Sequence, residues 1–98
     1  MLTEDVKIRY SNFEPTQDVR SALYYILNKL HLKAPSQSLL SVTFTLTNGI
    51  FEGVIKVTST AENFVAKATD VHMTELGQKL SDKLLAQMDK WKSLRFDK

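Results

Sequence analysis

The sequence predicts an α+β fold in which two helices pack on one face of a four-stranded mixed sheet. Apolar residues alternate with a period of two in four segments and recur with a helical period in two others, in the order β-α-β-β-β-α. The first strand, helix and second strand form a right-handed crossover between parallel strands, and a hairpin meander then adds two antiparallel strands. Both helices can therefore cover the same face of the sheet.

The N-terminal third of the chain holds the first strand and the first helix. Val6, Ile8 and Tyr10 alternate with basic residues, as in a strand with one covered face. Pro15 and Thr16 open the helix, because proline has no amide hydrogen to satisfy in a first helical turn. The helix is expected to run to about residue 32. Its apolar side consists of Val19, Leu23, Ile26, Leu27 and Leu30.

Three strands and a long helix follow. The first of these strands alternates through Leu40, Val42, Phe44 and Leu46. Asn48-Gly49 is a strong signal for a two-residue hairpin, so the return strand covers about residues 51–59. The last strand contains Phe64, Ala66 and Ala68. A helical period then begins at about residue 71, with an apolar stripe at Met73, Leu76, Leu80, Leu84, Met88 and Trp91.

Composition limits the class of protein. The 98 residues make one domain, residues 1–98, with 43% hydrophobic and 24% charged residues, as in ordinary globular proteins. There is no cysteine, which excludes disulfides and thiolate metal sites. No apolar run approaches the roughly 20 residues of a membrane span, and the acidic N-terminus is unlike a secretion signal. We therefore expect a cytoplasmic protein with no membrane partner.

Motifs for catalysis are missing from the sequence. His31 and His72 have no second ligand at a metal-binding spacing, and the three glycines form no phosphate loop. The carboxylates are scattered, although a pair brought together by the fold stays open as an alternative. We expect no enzyme, no metal, no cofactor and no small-molecule substrate.

Basic residues on the helices point to a binding function. Lys79, Lys83 and Lys90 fall within about 40° of one another on the last helix, with the acidic residues on the other side of that row. A phosphate backbone could follow such a row, although lysines beside a core stripe are also common on solvated helices. On the first helix, Tyr24 lies between Arg20 and His31 and either stacks on a base or packs on a neighbour. We expect the cationic margins of the two helices to merge into one surface.

Several segments carry a family resemblance. These are Pro15-Thr16-Gln17-Asp18-Val19-Arg20 with Leu27-Asn28-Lys29-Leu30, Ala66-Lys67-Ala68, and the helix from Leu80 to Lys92. They resemble the bacterial ribosome hibernation factors, a family that includes the short hibernation-promoting factor and the ribosome-associated inhibitor Y. The chain ends about seven residues after Trp91, as expected of a short form without a dimerisation domain.

The resemblance implies a domain that binds the small ribosomal subunit and its rRNA near the decoding region, blocking mRNA and tRNA in stationary phase or stress. The implied RNA contacts are Arg20, Lys29, Lys83, Lys90 and Lys92, and helical phase adds Lys79. Two positions depart from the family pattern, with Ile26 in place of a basic residue and Gly77 in place of an apolar one. The rival hypothesis is a protein-interaction module of the same fold, using the exposed sheet face at Thr43, Thr45, Lys56 and Thr58, or an edge strand.

Overall fold

The computed structural model describes residues 5–35 and 37–96, and the side chains of these residues through residue 94. Six elements follow one another in the predicted order. They are β1 (Val6–Ser11), α1 (Gln17–Lys33), β2 (Leu39–Thr47), β3 (Ile50–Thr58), β4 (Phe64–Asp70) and α2 (Met73–Phe96). The predicted α+β fold is confirmed.

The sheet has the strand order β1-β2-β3-β4. β1 pairs with β2 in parallel, and the two remaining pairs are antiparallel. One row across the sheet aligns Ile8, Val42, Ile55 and Ala66, all of which point toward the helices. Because side chains alternate along each strand, the odd-numbered residues of β1, β2 and β4 and the even-numbered residues of β3 form the opposite, open face.

Local sequence signals fix the turn and the start of α1. Asn48 and Gly49 both have positive φ, of 53° and 80°, which is the backbone of the predicted two-residue hairpin turn. Thr16 caps α1, and its Oγ1 accepts a hydrogen bond from the Val19 amide at 3.2 Å. Pro15 therefore precedes the cap, and the helix begins slightly later than the sequence suggested.

The core lies between the inner sheet face and the two helices. Its fully buried residues come from every layer, with Phe44 and Ile55 from the sheet, Leu23 and Leu27 from α1, and Leu80 from α2. Gly53 on β3 lets α2 approach the sheet, since a Cβ there would lie 2.6 Å from Leu80 Cδ1. Trp91 packs against this core with its ring edge-on to Phe64, as predicted from its place in the apolar stripe.

The two helices run parallel and touch through a glycine. A Cβ on Gly77 would lie 2.7 Å from Leu23 Cδ2 and 3.7 Å from Ile26 Cδ1. Ile26 and Gly77, the two positions at which the sequence departs from the family pattern, thus face each other where the helices touch. The missing side chain on α2 makes room for the apolar side chains of α1, so these residues shape helix packing.

Candidate nucleic-acid interface

One side of α2 reaches the free edge of β4. Lys79 and Lys83 donate hydrogen bonds from Nζ to the carbonyls of Thr69 and Lys67, at 2.9 and 2.8 Å. Gln87 Nε2 donates to the Val65 carbonyl at 2.9 Å. Four residues advance about 6 Å along a helix, and two residues advance about 6.8 Å along a strand. A helix that runs antiparallel to the strand can therefore place every fourth side chain next to every second backbone carbonyl. Two members of the lysine row predicted from the sequence, Lys79 and Lys83, therefore turn toward the sheet edge, on the margin of α2 away from α1.

Lys79 is also part of an ion pair. Its Nζ lies 3.0 Å from Asp70 Oδ2, at the junction of β4 and α2. The hydrogen bond from the His72 amide, followed by that from Lys79, holds the pKa of Asp70 below its ordinary value. Asp70 thus offsets much of the positive charge that Lys79 could offer to a phosphate. Lys83 has no ion pair with the side chains that the structure describes, and its charge is available.

A second group of cations lines the groove between the helices. Lys29 and Lys33 of α1 lie on one wall, and Gln78 and Ser81 of α2 lie on the other. Lys92 Nζ donates to the Lys33 carbonyl at 3.3 Å, which brings a further positive charge to the end of α1. Among the described residues no carboxylate lines this groove, and the Asp82 carboxylate lies just outside it, where Oδ1 accepts a hydrogen bond from Gln78 Nε2 at 3.0 Å.

Tyr25 adds an exposed aromatic ring to the same groove. Its residue is 66% exposed, and Lys29 Nζ lies 5.2 Å from the centroid of its ring. The sequence pattern indicated Tyr24 as the aromatic residue that could stack on a base, but Tyr24 is half-buried. The signal that could have found Tyr25 is its position four residues before Lys29, off the apolar stripe, where both side chains share one exposed helix surface.

Arg20 stands apart from both groups. Its guanidinium lies 3.7 Å from Glu14 Oε2 and 5.6 Å from the centre of the Tyr10 ring, so its neighbours are β1 and the loop after it. Lys90 is exposed on α2. The six predicted contacts therefore form three groups and not one merged surface. These groups are Lys79, Lys83 and Lys90 along α2, Lys29 and Lys92 at the groove, and Arg20 beside β1.

The histidines have structural surroundings. His31 Nε2 lies 2.9 Å from the Ser38 carbonyl and 4.0 Å from Asp5, so it ties the end of α1 to the loop before β2. His72 is exposed at the start of α2. Within residues 5–35 and 37–96, no three metal-ligating side chains cluster. None of the helices in this part of the chain is long and apolar enough to cross a membrane.

Fold and site together define a class: a small α+β domain whose sheet carries cation-bearing helices on one face. No family model matches the sequence, and no curated protein matches it. Solved structures do match. The N-terminal domain of protein Y from Thermus thermophilus superposes with a TM-score of 0.75 at 16% identity, covering 89% of this chain and 98% of that one.

A second solved structure agrees. A ribosomal subunit interface protein from Coxiella burnetii superposes with a TM-score of 0.74 at 19% identity, over 90% of this chain and 97% of that one. The fold is therefore the one that the resemblance to ribosome hibernation factors implied. At these identities the likeness establishes the fold alone.

Proposed function

We propose that this chain is a ribosome-associated translation inhibitor that binds small-subunit rRNA near the decoding region and blocks mRNA and tRNA there. The observation that carries the proposal is the fold match over about nine-tenths of the chain with a ribosomal subunit interface protein. The cations of the helical layer supply the means of binding. The proposed RNA contacts are Arg20, Lys29, Lys79, Lys83, Lys90 and Lys92.

Of the three groups of cations, the one at the groove between the helices should contribute most to RNA binding. Lys29 and Lys33 line it, Lys92 Nζ bonds to the Lys33 carbonyl at its end, and no carboxylate is among its described lining residues. Each phosphate neutralised by such a cation releases counterions, so binding should weaken linearly on a logarithmic salt scale. Lys79 should contribute less than Lys83, because Asp70 already partners it.

Tyr25 gives the groove a way to hold a base as well as a phosphate. Stacking of a base on an aromatic ring is worth about 1–3 kcal/mol and is tolerant of sequence. Because the Lys29 ammonium lies over one face of the ring, one nucleotide could place its base on the other face of Tyr25 and its phosphate near Lys29 or Lys33. An unpaired nucleotide of rRNA fits this arrangement, since paired bases are stacked inside a helix.

The proposed mechanism is steric. A folded domain that occupies the decoding region excludes mRNA and tRNA from the same space and needs no chemical step. The order of addition tests this in a reconstituted translation assay. Inhibition should be strong when the protein meets ribosomes before mRNA and initiator tRNA, and weak when it is added after them. Equal inhibition in both orders would contradict occlusion.

Sedimentation separates the proposal from the rival interaction module. The protein should travel with small ribosomal subunits through a sucrose gradient, and it should be released when the subunits are treated with ribonuclease. A partner that stays bound after complete RNA digestion would favour the protein-interaction module.

A further inference from the structure

The open face of the sheet carries its own set of cations, separate from those of the helical layer. Strand register aligns two rows across this face, which contain Lys7-Ser41-Lys56-Val65 and Arg9-Thr43-Val54-Lys67. All four basic side chains are exposed. None of them takes part in an ion pair within the described part of the chain.

The charge on this face is unbalanced. Among the residues of β1 to β4 that point outward, Glu52 is the one carboxylate against four cations. Neighbouring strands lie about 4.8 Å apart, so the backbones of Arg9 and Lys67 are about 14 Å apart and those of Lys7 and Lys56 about 10 Å. The face therefore spreads positive charge over its whole width.

Polar side chains fill the space between the cations. Ser41 lies between Lys7 and Lys56, and Thr43 lies beside Arg9 in the second row. These hydroxyls can donate hydrogen bonds to phosphate or ribose oxygens. A flat surface of spaced cations and hydroxyls suits an extended polyanion that meets the protein through its backbone.

The exposed apolar residues of this face do not form a continuous patch. Register sets each one beside a polar residue: Leu39 beside Thr58, Ile50 beside Thr47, and Val65 beside Lys56. A protein partner usually needs a central apolar anchor that water cannot reach. The absence of such an anchor in these strands favours a nucleic-acid backbone over an acidic protein.

We infer that the open sheet face is a second RNA-contacting surface, which binds the sugar-phosphate backbone of a segment other than the one at the helical layer. The inference rests on the proposed RNA-binding function, but not on the helical residues assigned to it. Because the helices cover the opposite side of the sheet, the domain would be held between two RNA segments.

Paired variants test the sheet face. Lys56→Gln with Lys67→Gln removes two positive charges from it, and Lys56→Arg with Lys67→Arg keeps them. Thr60→Glu with Ala61→Glu, in the exposed loop between β3 and β4, makes the same change in net charge outside the strands. Fluorescence anisotropy would measure the Kd of each variant for a labelled single-stranded RNA and for a duplex, over a range of salt concentrations.

The glutamine pair should bind RNA with a higher Kd than the wild type. The slope of the logarithm of affinity against the logarithm of salt concentration should be smaller in magnitude by about two, which is about one for each lost phosphate contact. The arginine pair and the loop variant should retain the wild-type slope. Wild-type affinity and slope in the glutamine pair would overturn the sheet-face inference and leave an acidic protein as the remaining partner. Lys29→Gln with Lys92→Gln, measured alongside, shows separately whether the helical layer binds RNA. Failure of the unaltered protein to bind any RNA would overturn both proposals.

Discussion

Gly77 of α2 lies against Leu23 of α1 so closely that a Cβ on the glycine would stand 2.7 Å from Leu23 Cδ2. Leu23 is fully buried, so its methyl group has little room to move away. In a helix interior a glycine usually lowers stability by about 1 kcal/mol relative to alanine. Here the same glycine is what allows the two helices to meet.

Gly77→Ala should therefore lower the free energy of unfolding, by up to about 2 kcal/mol, despite its better helix propensity. Overpacking of a core costs about 1–3 kcal/mol, which exceeds the propensity gain of about 1 kcal/mol. Ala86→Gly, at an exposed position of α2, measures the glycine cost alone. Urea denaturation gives both values, and a more stable Gly77→Ala protein would show that the helices can separate easily.

A double variant tests the same contact from its other side. Leu23→Val removes a methylene where the new Cβ would sit, so it should relieve part of the strain of Gly77→Ala. We expect a favourable coupling free energy of about 0.5–1 kcal/mol in the double-mutant cycle. Additive effects would mean that Leu23 is not the group that the new methyl meets.

The hydrogen bond from the His72 amide and the ion pair with Lys79 should make stability depend on pH through Asp70. The pKa of Asp70 in the folded protein lies below its ordinary value of 3.8, so its contribution is present above that pH and is lost on further acidification. Asp70→Asn should be less stable than the wild type at neutral pH, and the difference should shrink as the pH falls below about 4. Asp89→Asn, on the outer surface of α2, is the control. Thermal unfolding across this range measures both, and a constant difference for Asp70→Asn would contradict the account.

Tyr10 offers a test of a buried hydroxyl. Burial raises the pKa of this tyrosine, with Tyr24 adding to the rise and Arg20 opposing it. Its hydroxyl has no hydrogen-bond partner within the residues that the structure describes. Tyr10→Phe should therefore leave the free energy of unfolding unchanged or raise it by up to about 1 kcal/mol.

The matched substitution at this position is Tyr10→Leu. It also removes the hydroxyl, but it loses the ring contacts with Phe13 and Phe44, whose centroids lie 5.6 and 6.0 Å from that of Tyr10. We expect it to be less stable than the wild type by about 1 kcal/mol or more. Chemical denaturation distinguishes the two, and a clear loss of stability in Tyr10→Phe would point to a partner for the hydroxyl.

Most of the fold could be predicted from local patterns in the sequence. Asn48-Gly49 determined the hairpin because both residues tolerate positive φ, and the apolar stripe through Leu80 and Leu84 determined which side of α2 is buried. The parallel pairing of β1 with β2 followed from the crossover through α1. Each of these signals acts over a short stretch of chain or follows a general rule of handedness.

Pairings between distant residues could not be predicted in the same way. The helical period places Lys79 and Lys83 on the same side of α2. Lys79 forms an ion pair with Asp70 at the end of β4, whereas Lys83 donates a hydrogen bond to the Lys67 carbonyl. The role of Gly77 depends on Leu23, 54 positions earlier, and the sequence showed only a weak point in a helix. The cations of the sheet face emerged only once register aligned Arg9 with Lys67 across four strands.

Under the proposed function, the helical layer binds the small ribosomal subunit through the groove cations. The most direct measurement is the affinity of Lys29→Gln with Lys92→Gln for isolated small subunits, as a function of salt, beside the wild type and the Thr60→Glu with Ala61→Glu control. We expect weaker binding and a salt slope smaller by about two for the lysine variant, with the control close to wild type. Binding by the lysine variant that equals the wild type at every salt concentration would contradict it.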